Sequence, residues 1–269
     1  MIPKVIHYCW FGGNPLPEKD KEKLESWKKF CPDYQIIEWN ESNYDYTKNQ
    51  YMREAYAEKK YAFVSDYARL DIVYNHGGIY LDTDVLMLKN IDEFLAEKAF
   101  CGYETSEFIG LGLVFGAEKH TPIIKELMDY YEDKSFYFPD GRINNTPITF
   151  YTNAVLAPKG LRRDNTKQTI EGLTVYPTRY FNPRGYFGEH YGNIEDAYTF
   201  HDYNSSWVSD GRVAYRDKVR YLVEKYGEEA TFSGRADKFE IFSQEYNDVK
   251  KRKGRFYAFI WKLFHSPEK

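Results

Sequence analysis

GGIYLDTDV, residues 77–85, joins two glycines to an apolar run that stops at Asp82-Thr83-Asp84. An apolar run of this length, bounded by turn residues, reads as a buried strand. Ile79, Leu81, Val85 and Leu86 suit a central strand covered on both faces. Side chains two apart on a strand face the same side, so Asp82 and Asp84 point together. At the carboxyl end of a parallel strand they would stand where α/β sheets bind ligands. Neighbouring carboxylates repel, and a cation between them relieves the repulsion. A few hard oxygen ligands suit Mg²⁺ or Mn²⁺ shared with substrate phosphates. The plain alternative is two solvated acids in a loop after the strand.

The flanking sequence supplies the rest of an α/β sheet. PKVIHYCWFGG reads as a short strand (Val5, Ile6, Tyr8) ending in a Gly-Gly turn, and residues 19–30 as a helix closed by Cys31-Pro32. YQIIEW, 34–39, is a second strand, and strand–helix–strand order predicts parallel pairing. Residues 51–74 read as one helix, with Phe63, Tyr67, Leu70 and Tyr74 on one face and Gly77-Gly78 as its stop. FIGLGLVFGA, 108–117, is another strand, and Thr121-Pro122 opens a helix through Tyr131. Beyond about residue 135 the chain is loop-rich, with LTVYPTRYF, 173–181, as a strand.

Composition narrows the class. The chain has 269 residues, 42% hydrophobic and 19% aromatic, and this is globular. Its 26 tyrosines suit a site that grips polar ligands with apolar faces, such as sugar rings. A net charge of −4 argues against nucleic acid as partner. Cys9, Cys31 and Cys101 have neither metal-type nor disulfide-type spacing, which fits a reducing compartment. The start carries no basic-then-apolar leader, and no apolar run reaches the roughly 18 residues of a spanning helix, so a cytoplasmic protein is expected.

VIHYCWFGG, SDYARLDIVYNHGGIYLDTDV and HDYNSSW, in that order, resemble the signatures of glycosyltransferase family 32. That family contains bacterial capsular-polysaccharide sugar transferases and yeast initiating mannosyltransferases, and it is similar to the glucosylating domains of large clostridial toxins. The resemblance is dense over residues 2–100 and sparse over 101–235. It implies a GT-A type, Rossmann-like α/β fold with a mixed central sheet, spanning residues 1–235. It also implies a UDP- or GDP-sugar donor (UDP favoured), a divalent metal (Mn²⁺ or Mg²⁺) and transfer of a hexose with retention of configuration.

The resemblance also assigns roles residue by residue. Asp66 and Arg69, three apart on one helical face, would grip hydroxyls of the donor sugar. Without it they read as a surface ion pair worth a few tenths of a kcal/mol. Trp10 would stack on the nucleotide base, with Gly12-Gly13 bending the backbone around it; otherwise it is a core aromatic at a strand end. His7 packs or hydrogen-bonds locally. Tyr80 would lie near the donor, Asp84 would bind the metal directly, and Asp82 would act through the ribose or a water. In HDYNSSW, His201 and Asp202 are both candidates for a late metal ligand, with Asp202 favoured on charge, while Ser206 and Trp207 would close over the diphosphate. Family members often carry a Thr-Gly-Pro stretch near the acceptor; INNTPITFYTNAV, with Asn144, Asn145, Thr146 and Pro147, fits it loosely. Glu104, in CGYETSEF, reads as an exposed loop acid, with a place facing the sugar as the alternative.

Residues 236–269 stand apart as a basic, aromatic helical extension. Phe256, Phe259, Ile260, Leu263 and Phe264 form an apolar helical stripe behind Lys250, Lys251, Arg252, Lys253 and Arg255. Residues 250–265 suit an anionic membrane surface, where a transferase with a lipid-linked glycan acceptor would work on the cytoplasmic face. A helix docked on its own domain is the alternative. Two competing functions share the acid pair: a metal-dependent nucleotidyltransferase or phosphoesterase, and a non-catalytic nucleotide-sugar or glycan-binding protein on the same fold.

Overall fold

The structure, a computed structural model, describes residues 1–203 and 210–233. Ser206, Trp207 and the 236–269 extension, with its 250–265 segment, lie outside the described residues. The chain divides into two units, Met1–Gly185 with His190–Trp207, and Tyr186–Glu189 with Val208–Lys269.

In chain order the first unit contains β1 (Val5–Cys9), α1 (Glu18–Phe30), β2 (Gln35–Trp39), α2 (Gln50–Ala57), α3 (Tyr61–His76), β3 (Gly78–Tyr80) and β4 (Val85–Met87). It continues with β5 (Ala99–Tyr103), β6 (Ile109–Ala117), α4 (Pro122–Asp129), α5 (Ile148–Leu156), β7 (Gln168–Ile170), β8 (Leu173–Tyr176), α6 (Thr178–Phe181) and β9 (Thr199–His201). Seven strands form one sheet in the order β2-β1-β3-β6-β5-β8-β7. β1 runs parallel to β2 and β3, and β5 parallel to β8. β6 runs against both β3 and β5, so the central sheet is mixed, as expected. Strand alternation sends Ile6, Tyr8, Ile79 and Leu81 into one core and Cys9, Tyr80 and Phe115 into the other, so both faces are covered.

Three expectations need correction. Residues 51–74 are two helices, because Lys59 takes a left-handed φ of 56° and turns the chain. The turn lets Tyr51, Met52 and Ala55 of α2 and Phe63, Val64 and Ala68 of α3 reach one core. The run 79–86 is not one strand: β3 ends at Tyr80, the Val85 amide closes a turn onto the Asp82 carbonyl (3.1 Å), and β4 pairs antiparallel with β9. Residues 173–181 split at Pro177, which has no N–H for the ladder and opens α6.

His7 fastens the parallel strands beneath the site. Its Nδ1 accepts from the Trp39 indole of β2 (3.0 Å), and its Nε2 donates to the Gly77 carbonyl before β3 (2.8 Å). Burial lowers its pKa to about 4, so it is neutral in the folded protein at neutral pH. Gly78 lies against it at φ +103°, and a Cβ there would stand 2.8 Å from His7 Nε2. On the other side, α1 is tied to β4 by the Trp27 indole on the Val85 carbonyl (2.7 Å) and by Ser26 Oγ accepting from the Met87 amide (2.9 Å).

The second unit contains α7 (Asp210–Tyr226) and α8 (Glu228–Phe232), with Val219, Leu222 and Val223 buried. No helix among the described residues is long and apolar enough to cross a membrane.

Candidate active site

The sheet order 2-1-3 puts the carboxyl ends of the parallel strands β1 and β3 side by side, at the edge where α/β sheets bind ligands. Trp10 leaves β1 there and Asp82 leaves β3. Trp10 is half-buried, its indole N–H on the Asn14 carbonyl (2.6 Å). The Gly12 amide is held by Glu41 (2.6 Å) at φ +99°, and a Cβ on Gly12 would fall 2.4 Å from the Tyr61 ring. The turn after β1 is therefore fixed by packing.

Arg69 is the hub of the site, and it is buried. Its Nε donates to the Ser65 carbonyl (2.9 Å) and its Nη2 to Ser65 Oγ (3.1 Å). The same Nη2 lies 3.2 Å from Asp66 and 3.3 Å from Asp82, and Nη1 donates to Asp82 Oδ2 (3.3 Å). The guanidinium sits 4.7 Å above the Tyr80 ring, and the Tyr80 hydroxyl donates to Asp82 Oδ1 (2.9 Å). The Asp66–Arg69 pair is thus no solvated surface bridge: side-chain exposures are 9% and 4%. Burial pushes the Asp66 carboxyl up to about 7, against the pull of Arg69. Burial also raises Asp82, again with Arg69 opposing.

Strand pairing completes the acid pair. β9 sets His201 opposite Val85, so its imidazole falls beside Asp84, with Nε2 3.0 Å from Oδ1. The Asp202 amide donates to the Asp84 carbonyl (3.0 Å), but its carboxylate turns away to Lys23 (3.1 Å). β9 ends at His201, so Asp202 lies beyond the strand, and only one of the two faces the acids. It is His201 that does, against the preference for Asp202 on charge. Burial works against a charge on His201, but Asp84 outweighs it and the imidazole pKa is raised. Its Nδ1 is buried with no hydrogen-bond partner.

Asp82, Asp84 and His201 offer three ligand atoms within 4.8 Å of one another. Two carboxylates and an imidazole are a donor set that fits Mn²⁺ or Mg²⁺. Asp82 carries its own countercharge in Arg69, whereas Asp84 is matched with an imidazole.

Sequence reading passed over several residues that shape the site. Gly112 on β6 underlies Asp82: a Cβ there would stand 2.3 Å from Asp82 Oδ2 and 3.0 Å from Arg69 Nη1. The G-x-G-x alternation of IGLGLVFGA was the available signal. Ser65 holds Arg69, and Asp20 on α1 is buried close to Asp84 and Thr83. Glu104, read as a loop acid, faces the same region: its charge acts on both Asp66 and His201.

Acids and an imidazole that suit a divalent ion, gathered over Gly112 at the carboxyl edge of a mixed α/β sheet, form a candidate ligand site. Residues 17–101 match the family described as a glycosyltransferase sugar-binding region containing a DXD motif. The match covers about a third of the chain, and over that stretch the chain is similar to DXD glycosyltransferases of the family 32 kind. It is 26% identical over 220 residues to the uncharacterized glycosyltransferase L373 of Acanthamoeba polyphaga mimivirus, covering 77% of this chain and 84% of that one. It is 27% identical over 144 residues to the mannosyl phosphorylinositol ceramide synthase SUR1 of Saccharomyces cerevisiae, covering 52% of this chain and 37% of that protein. Among solved structures it is similar to the PaToxG glycosyltransferase at 19% identity and a TM-score of 0.45, over 59% of this chain and 70% of that one.

Proposed function

We propose that the protein is a divalent-metal-dependent, retaining glycosyltransferase. It moves a hexose from a nucleotide-diphosphate sugar, a UDP-sugar in first place, to a lipid-linked glycan of a capsular or surface polysaccharide. The observation that carries this reading is the gathering of Asp82, Asp84 and His201 at the end of β3, directly beside the buried Asp66–Arg69 pair. Asp84 and His201 hold the cation, with Asp82 completing the set. A cation held there would supply positive charge against the leaving diphosphate.

The chain's own groups do the rest. Asp66 accepts from sugar hydroxyls and Arg69 supplies a fixed fork of donors, held in place by Ser65 and Tyr80. Trp10 offers its ring to the base at this edge of the sheet. Ser206 and Trp207 are assigned to the diphosphate on the strength of the HDYNSSW resemblance. The basic segment 250–265 brings the enzyme to an anionic membrane at the cytoplasmic face, where a lipid-linked acceptor resides.

Two yeast relatives, a mannosyl phosphorylinositol ceramide synthase and an inositol phosphoceramide mannosyltransferase, support one specific variant, a mannosyl donor with an inositol phosphoceramide acceptor. One assay covers both: release of nucleoside diphosphate from UDP-glucose, UDP-galactose, UDP-N-acetylglucosamine and GDP-mannose with Mn²⁺, Mg²⁺ or EDTA. Metal-dependent release of UDP or GDP is the expected result. Release of the monophosphate would make the protein a phosphoesterase or nucleotidyltransferase, and binding without turnover would make it a nucleotide-sugar-binding protein.

A further inference from the structure

We propose that Glu104 determines sugar specificity, its carboxylate accepting a hydrogen bond from one hydroxyl of the transferred sugar. The inference rests on the glycosyltransferase reading and deepens it. Gly110 and Gly112 are two apart on β6, so their missing side chains face the same way. A Cβ on Gly112 would strike Asp82 Oδ2 at 2.3 Å, and one on Gly110 would strike Glu104 Oε2 at 2.7 Å. The two carboxylates thus rest on neighbouring glycines of β6, where its pairing with β5 shifts register. A sugar bound beside Asp82 would come within reach of Glu104, and a side chain at either glycine would displace the carboxylate that rests on it.

Glu104 is also held as a binding residue is held. Oε2 accepts from Thr149 Oγ1 (2.8 Å) in the first turn of α5. Its amide donates to the Phe108 carbonyl (2.7 Å), and its carbonyl accepts from Asn182 Nδ2 (2.7 Å). Asn182 is wholly buried and its Oδ1 has no hydrogen-bond partner. Oε1 of Glu104 makes no hydrogen bond among the described residues, and the side chain is half-buried, so an acceptor is left for a ligand. A carboxylate fixed on one oxygen and open on the other reads a hydroxyl donor and rejects its deoxy or epimeric analogue.

The test is acceptor-free hydrolysis of the accepted donor and of its monodeoxy analogues by the full-length protein, as wild type, Glu104→Ala, Glu104→Gln and Thr149→Val. In wild type, kcat/KM should fall on the order of 10–100-fold for one deoxy analogue. Glu104→Ala should show that loss with the parent donor and no further loss with that same analogue, the signature of a pairwise contact. Thr149→Val should fall between, as a positioning change. Binding of UDP with Mn²⁺, which carries no sugar, should match wild type in all variants and exclude misfolding. An unchanged deoxy profile in Glu104→Ala overturns the proposal, as does a loss confined to transfer onto acceptor. Wild type that neither binds nor hydrolyses any donor in the panel overturns the glycosyltransferase reading itself, and this inference with it.

Discussion

Gly112 shows how a residue without a side chain governs those that have one. Gly112→Ala should reduce donor hydrolysis at least about 100-fold by displacing Asp82 and Arg69, while stability falls about 1–2 kcal/mol; equal activity would mean that Asp82 is not placed by this glycine. Asp66 gives a pH test with a defined sign. Its folded pKa, about 7, lies above the ordinary carboxyl value, so its burial weakens the fold increasingly as pH rises toward 7. Asp66→Asn should therefore be inactive yet more stable, by roughly 3 kcal/mol above pH 7, with the gap closing toward pH 4. Denaturant unfolding of both proteins across pH checks this, and a gap that does not change with pH would contradict it. His7 has the opposite sign: its folded pKa, about 4, is below the unfolded value. It should favour folding fully above pH 6.5, and that contribution should disappear as pH falls toward 4. Asp66, Arg69, Asp82 and Asp84 were legible through the motifs they stand in; spacing alone puts Asp66 and Arg69 on one helical face, while Asp82 and Asp84 are brought together by the turn after β3 rather than by a strand. Gly112 was not legible, because a glycine's importance depends on what lies above it, and Glu104 was legible only as one of two alternatives.

At the scale of elements, the pairing of β4 with β9 decides the third ligand. Sequence offers both His201 and Asp202 and favours Asp202 on charge, but the strand ends at His201. The register His201↔Val85 sets the imidazole beside Asp84, and it is a long-range pairing that no local pattern announces. The same holds for the break after Tyr80: the apolar run continues through Leu86, yet its second half leaves the sheet to meet β9. The strands β1, β2 and β6 and the helix α1, whose signals are local, were legible nearly to their ends. α1 in turn supports the acid turn through Trp27. Trp27→Phe would leave the Val85 carbonyl buried and unpaired, and should destabilise by about 2 kcal/mol while weakening metal-dependent turnover. Thermal melts and donor hydrolysis test both halves; lost stability with unchanged turnover would confine Trp27 to packing.

At the scale of the whole molecule, the chain carries a basic, aromatic segment at 250–265, proposed above to meet an anionic membrane. Reversing Lys250, Lys251, Arg252, Lys253 and Arg255 to Glu in the full chain should abolish sedimentation with phosphatidylserine vesicles, each charge contributing about 1 kcal/mol. Unchanged sedimentation would remove the membrane from the account. Asp84 and His201, not Asp202, are proposed to hold the cation that would meet the diphosphate. Titration of Mn²⁺ followed by electron paramagnetic resonance, with UDP present, measures this in wild type, Asp84→Asn, His201→Ala and Asp202→Ala. Tight binding by wild type and Asp202→Ala, lost in Asp84→Asn and His201→Ala, is the expected result. Retention in His201→Ala with loss in Asp202→Ala would contradict it.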